Sequence, residues 1–447
     1  MLGGFLCAAA ILSTYYFARR ALVSGLITIL IWGYAYGIMR ANLASIGSYF
    51  IFDCALAGLY LGRFETFIST AERQFTNLRC WVVALIAWPT LILLLPFQPI
   101  EISLVGLRGN VAFIPAILLG ARLRDQDLSK LSLSVAFLNI ASLSMAVAEY
   151  FSGIERFYPQ NSVTELVYNM HDVAEHTYYR IPGTFVNQAA YAHTMIMTLP
   201  LLYGAVAITF RNRYRRTVLI LGVLAALFGI LLGASRSAFV LATLATTFAL
   251  TSSTTTRRVR VSWCVVLVCV AAVAATNGRM QRFTTLQDTD AVETRLAGSI
   301  NSTFWEILVD NPMGNGLGGG GTSIPYFWES HVRRVVGLES EYSRILIEQT
   351  LFGLLLWLCF LAWVFLRRVA FVTTVWREGR RLAWFVCLAT FCQGMIGVGM
   401  FSSVPQTLLM FLWIGWFLIE PRPPHQRVPV LTTRLGKTVI YNNTVVR

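Results

Sequence analysis

The chain has 447 residues, 56% of them hydrophobic and only 13% charged, with a mean hydropathy of +0.61. Soluble globular chains carry about 25% charged residues, so the composition excludes an ordinary soluble domain. The 36 basic and 22 acidic residues leave a net charge of +14; the excess lies in short loops between apolar runs, where membrane orientation explains it better than nucleic acid does.

Apolar segments near 2–18, 22–39, 43–62, 80–97, 102–121, 131–150, 185–210, 217–234, 236–253, 260–276, 345–366, 382–400 and 404–420 follow one another along the chain. They are too long and too unalternating for barrel strands. The fold expected is an all-α polytopic membrane protein of about 12–13 transmembrane helices, with a large extracytoplasmic loop between late helices. The first segment lacks a basic flank, so a cleavable signal is not expected. The eight cysteines have neither disulfide-framework nor zinc spacing and read as packing residues.

Basic residues mark alternate turns. Arg19, Arg20, Arg63, Arg122, Arg124, Arg211–Arg216, Arg257, Arg258, Arg367 and Arg377–Arg381 fall on one side, whereas the short turns of the other side offer only Arg40 and Arg236. The positive-inside tendency makes the first side cytoplasmic. Residues 1–420 then form a single membrane domain with extracytoplasmic loops at 151–184 and 277–344, and 421–447 is a proline-rich cytoplasmic tail. Within the spans, Asp53 and Arg108 are the charges that look buried.

Four regions could carry chemistry. Arg180 stands at a span entrance in Arg180-Ile181-Pro182-Gly183-Thr184-Phe185-Val186-Asn187, upstream of His193. Arg236 occupies a sharp turn, Gly233-Ala234-Ser235-Arg236-Ser237, where it either snorkels to headgroups or presents its guanidinium fork to a phosphate. The 277–344 segment holds Arg282, Arg295, Asp310-Asn311-Pro312-Met313-Gly314 and the run Gly318–Gly321, followed by His331, Glu339 and Glu341. No lysine or P-loop pattern follows the glycines, so a flexible or tightly turned segment is expected there. Glu339 and Glu341 read equally as helix caps or as a general base at a membrane-edge cleft. His171 and His176 lack helical metal-ligand spacing, and no metal is expected.

In this order the pieces resemble the O-antigen ligase and polymerase superfamily of bacterial membrane glycosyltransferases. The residues that carry the resemblance are Arg180–Asn187, Ser235-Arg236, Asp310-Asn311-Pro312-Met313-Gly314-Asn315-Gly316-Leu317-Gly318 and Glu339-Ser340-Glu341-Tyr342-Ser343-Arg344 through Gly353, covering roughly 175–355. The resemblance implies transfer of a glycan from undecaprenyl diphosphate to a sugar hydroxyl at the outer face of the inner membrane. No cofactor and no metal are implied. Its partners would be the lipid-linked donor and acceptor, membrane lipids, a chain-length regulator and a flippase.

Ligases carry a histidine base where this chain has Glu339, and a usual glycine is replaced by Thr350; the acidic residue looks more like a Wzy-type polysaccharide polymerase. On that resemblance Glu339 is the expected base, with Glu341 and His331 behind it. Arg236 leads the expected diphosphate ligands, with Arg180, Arg282 and Arg295 as partners. Asn187 and Tyr342 complete the glycan-binding set.

Overall fold

The computed structural model describes residues 2–68, 73–169, 179–209, 212–251, 303–322, 324–333, 340–367 and 375–419, with the single positions 261, 336 and 338. Every regular element among them is helical. In order they are α1 (Leu2–Arg20), α2 (Leu22–Asn42), a 3-10 turn (Ile46–Phe50) leading into α3 (Ile51–Gly62), α4 (Phe64–Ile68), α5 (Arg73–Ile92), α6 (Ile100–Val111) and α7 (Ala116–Gly120). Then come α8 (Asp125–Ser152), α9 (Glu165–Asn169), α10 (Gln188–Ile208), α11 (Arg213–Leu232), α12 (Arg236–Leu250), α13 (Thr303–Asp310) and a second 3-10 turn (Tyr326–His331). The last three helices are α14 (Glu341–Leu366), α15 (Arg377–Gln393) and α16 (Gln406–Leu418).

Among the described residues eight helices are long and apolar enough to cross a membrane: α1, α2, α5, the α6–α7 pair, α8, α10, α11 and α14. This helix set is compatible with a multi-pass membrane protein. Three further expected spans, 43–62, 236–253 and 404–420, fold as shorter apolar helices. The segment 260–276 lies, but for Val261, outside the described residues.

Two departures from the expected spans have physical causes. The apolar stretch 382–400 stops being helical at Gln393, because Gly394 and Gly397 turn their carbonyls to the Glu341 N–H, at 2.8 and 3.1 Å. Gly399 follows at φ +94°, a conformation that excludes helix. Helix α16, for its part, is buried along its whole length. Because it is apolar on every face and surrounded by other helices, it does not need the length of a lipid-facing span.

Small residues let backbones touch. A methyl on Gly120 would stand 1.9 Å from the Leu412 carbonyl oxygen, and one on Gly415 1.9 Å from that of Ile117. Glycine on both helices therefore sets the α7–α16 approach. Gly62 likewise meets Ala18, which brings the ends of α1 and α3 together.

The bundle has two chemically distinct ends. Arg381 donates to Thr251 at 2.9 Å, Arg380 to the Ile419 carbonyl at 2.8 Å, and Tyr203 to that of Ala249 at 2.9 Å. These contacts gather the ends of α10, α12 and α16 and the start of α15 at a basic end, near the bases of α8 and α11. The opposite end gathers the end of α2, the start of α10, the end of α15 and the turn 394–405.

Candidate functional site

A cavity of about 760 Å³ opens at the end opposite the basic one. Its walls come from segments far apart in the chain: α2, α6, the α9 region, the start of α10, residues 321–329 and the 390–406 turn.

Two arginines face it. Arg40, on the last turn of α2, lays its guanidinium 3.6 Å from the centre of the Tyr49 ring, and its Nε is buried without a hydrogen-bond partner among the described residues. Arg108, on α6, donates from Nε to Asp53 Oδ1 at 2.7 Å. Charges inside spans are costly and tend to be functional, and here they converge on one opening. Tyr36 stands between them, its hydroxyl donating to the Tyr49 carbonyl at 2.8 Å. The carboxylates of Glu165 and Glu329 sit exposed at the rim.

The Gly183–Asn187 segment forms one wall, and several bonds immobilise it. The Gly183 N–H donates to Glu149 Oε2 at 2.9 Å, and the Tyr158 hydroxyl shares its one hydrogen between the carbonyls of Gly183 and Phe185, each at 2.8 Å. Burial, with Glu149 nearby, pushes the Tyr158 hydroxyl well above its ordinary range, so it remains a donor at any physiological pH. Close to it, a methyl on Gly37 would fall 1.9 Å from the Phe185 carbonyl carbon, so only glycine lets α2 lie against this strip. Replacing Tyr158 with phenylalanine is expected to cost about 1–2 kcal/mol; faster amide exchange over 183–187 would register it, and unchanged exchange would refute the clamp.

The sequence-expected residues divide three ways. Asn187 lines the cavity and caps α10, its Oδ1 accepting from the Ala190 N–H at 2.8 Å. Arg236, Arg180, His331, Glu341 and Tyr342 are placed elsewhere. Arg236 opens α12, half-buried, in a turn whose Gly233 abuts Gln188 and Ala192, close behind the cavity wall. Arg180 is half-buried, and His331 is exposed at the end of the 3-10 turn that contributes Tyr326 and Glu329 to the rim. The Tyr342 hydroxyl donates to the Phe391 carbonyl at 2.9 Å. Glu339, Arg282 and Arg295 lie outside the described residues.

Glu341 belongs to a wholly buried network. Its Oε1 accepts from Arg344 Nε at 2.6 Å, while its Oε2 accepts the N–H groups of Gly399 and Met400 at 2.7 and 3.1 Å. Arg344 reaches Glu348 Oε2 at 2.8 Å and Asn110 Oδ1 at 3.1 Å, and Asn110 returns a bond to Glu348 at 2.7 Å. The network thus joins α6, α14 and the 394–405 turn, which is a cavity wall.

Immediately below it α14 breaks at Thr350, with φ +65° and ψ 177°, and Trp88 Nε1 takes up the Gln349 carbonyl at 2.8 Å. A β-branched residue is strained at positive φ. Thr350→Gly is expected to raise stability by about 1 kcal/mol; a lower unfolding temperature in detergent would refute the strain.

The glycine run is tightly turned. Gly314, Gly316, Gly318 and Gly321 all have positive φ, 71–77°, and Asn315 N–H donates to the Ile347 carbonyl at 2.7 Å. A methyl on Gly106 of α6 would meet Gly318 N at 2.1 Å. The run is wedged between α6 and α14, and its end, at Gly321, reaches the cavity.

Two cavity residues that sequence reasoning left out of the site, Arg40 and Arg108, carried visible signals: one breaks the positive-inside pattern and the other is a charge within a span. His193 also lines the cavity, with Nδ1 2.9 Å from the Ala189 carbonyl and Nε2 2.7 Å from Gln393 Nε2. Among the described residues no group of three His, Cys, Asp or Glu side chains comes together as a metal site would require. No protein-family model, curated protein or solved structure matches this chain.

Proposed function

We propose that this protein is a membrane glycosyltransferase that polymerises undecaprenyl-diphosphate-linked oligosaccharide repeats into exopolysaccharide, capsule or O-antigen. It works at the outer face of a bacterial inner membrane and resembles the Wzy-type polymerases. The observation that carries the reading is the large cavity at the end opposite the basic turns, with Arg40 and Arg108 in its walls. Basic turns face the cytoplasm, so this orientation opens the cavity outward.

The chemistry suits such a site. A departing lipid diphosphate gains negative charge in the transition state, and fixed guanidinium groups in a partly desolvated pocket stabilise that charge. Tyrosine faces and amide groups at the walls suit sugar rings. The expected ligands Arg236 and Arg180 remain as outer contacts for the rest of the donor, and Glu339 is the base that the motif resemblance taken alone would name. A lipid-linked acceptor is the one partner this reading requires; a chain-length regulator and a flippase would serve the same pathway without being needed for the linkage itself.

A ligase that passes finished glycan to lipid A-core or protein is the alternative within the class. The buried Glu341–Arg344–Glu348 group beside a broken helix is what favours the third reading, a lipid-linked glycan flippase, since transporters place charges at such breaks. A strain lacking the chain separates all three. The polymerase reading predicts single lipid-linked repeats accumulating outside, a ligase predicts long lipid-linked polymer, and a flippase predicts single repeats on the cytoplasmic face.

A further inference from the structure

We infer that His193 is the group that accepts the proton of the attacking sugar hydroxyl; this rests on the glycosyltransferase reading. The Ala189 carbonyl can only accept, so the Nδ1 atom 2.9 Å away carries the hydrogen and donates it. That fixes the neutral tautomer with its lone pair on Nε2, the atom that accepts from Gln393 Nε2 at 2.7 Å on the cavity wall. A hydroxyl that displaces the Gln393 amide meets a lone pair already aimed and held.

Gln393 also provides for the protonated state. Its Oε1 is buried without a hydrogen-bond partner among the described residues. Rotation of the amide by half a turn presents that oxygen to the new Nε2–H, so one side chain is complementary to imidazole and to imidazolium in turn. The carboxylates that line the cavity, Glu165 and Glu329, are exposed at its rim and have no comparable fixation. Imidazole is moreover the side chain whose ordinary basicity lies nearest neutral pH, where base catalysis is most efficient.

In the transfer step the acceptor O–H bond breaks and its proton goes to His193 Nε2. The oxygen lone pair forms the new bond to the anomeric carbon as the bond from that carbon to the diphosphate oxygen breaks. The lipid diphosphate departs with that electron pair, between Arg40 and Arg108, and the imidazolium afterwards releases its proton to water or to the departed diphosphate.

The test uses full-length protein reconstituted in vesicles with lipid-linked repeat units. His193→Gln is expected to lower turnover by ~10²–10⁴-fold while the KM for the lipid-linked donor stays within about threefold. Imidazole added to His193→Ala is expected to restore part of the lost rate. Wild-type turnover in His193→Gln would overturn the role, as would its loss in Glu165→Gln or Glu329→Gln with His193→Gln unaffected. If neither His193 variant folds, diethyl pyrocarbonate treatment of the folded wild type decides. Modification of His193, mapped by mass spectrometry and blocked by the lipid-linked repeat, must abolish turnover; full turnover after complete modification overturns the role. A wild type that forms no glycosidic link from lipid-linked repeats removes the underlying reading instead, a result distinct from a wild type that polymerises without needing His193.

Discussion

Replacing Arg344 with methionine is expected to destabilise the protein by about 3–5 kcal/mol, the cost of leaving buried charge uncompensated. Arg344 is fully buried, and both Glu341 and Glu348 are equally enclosed. With the guanidinium gone, two carboxylates remain in a region where water cannot solvate them. The effect would spread, because Glu341 also holds the N–H groups of Gly399 and Met400 and thereby shapes the 394–405 turn. Unfolding in detergent measures it. If Arg344→Met is combined with Glu341→Gln and Glu348→Gln, the uncharged triple variant is expected to recover much of the loss, since the penalty belongs to the orphaned charges rather than to lost volume. A single variant as stable as the wild type would contradict the network.

The second large effect concerns the cavity arginines. Arg40→Gln and Arg108→Gln are each expected to reduce polymer formation by ~10²–10³-fold, the usual consequence of removing one fixed group that stabilises transition-state charge. Arg108 requires a control, because its loss leaves the half-buried Asp53 without its 2.7 Å partner. The paired variant Asp53→Asn with Arg108→Gln removes that complication. If the positive charge acts on the leaving diphosphate, the pair stays as inactive as Arg108→Gln alone. Recovery of activity in the pair would make Arg108 a structural partner of Asp53 and nothing more.

Much of the fold was legible because hydropathy and charge report directly on the bilayer. Eight helices coincide with apolar runs, and among the described residues Arg63 comes near Arg19 and Arg124, while Arg380 and Arg381 bond to the ends of α16 and α12. Tertiary partners decided the rest. Hydropathy carries 382–400 through as one span, yet the Glu341 N–H and carboxylate draw 394–400 into a turn. Thr350 has no composition signal for a break, and its positive φ shows only in the fold.

The site was legible only in part, for a geometric reason. Arg40 and Arg236 break the same charge rule, and nothing local in the sequence separates them. The direction in which each turn faces does: Arg40 lines the cavity, whereas the Arg236 turn lies behind the Gln188–Ala192 wall. His193 and Gln393 are 200 positions apart, and only the packing of α10 against α15 brings them within 2.7 Å.

The central claim is that this chain joins lipid-linked repeats without any other protein. Purified protein in vesicles, supplied only with undecaprenyl-diphosphate-linked repeat units of its own pathway, tests it most directly. A ladder of lengthening glycans is expected, with one lipid diphosphate released for each new linkage. Repeat units that remain single, with no lipid diphosphate released, would contradict it.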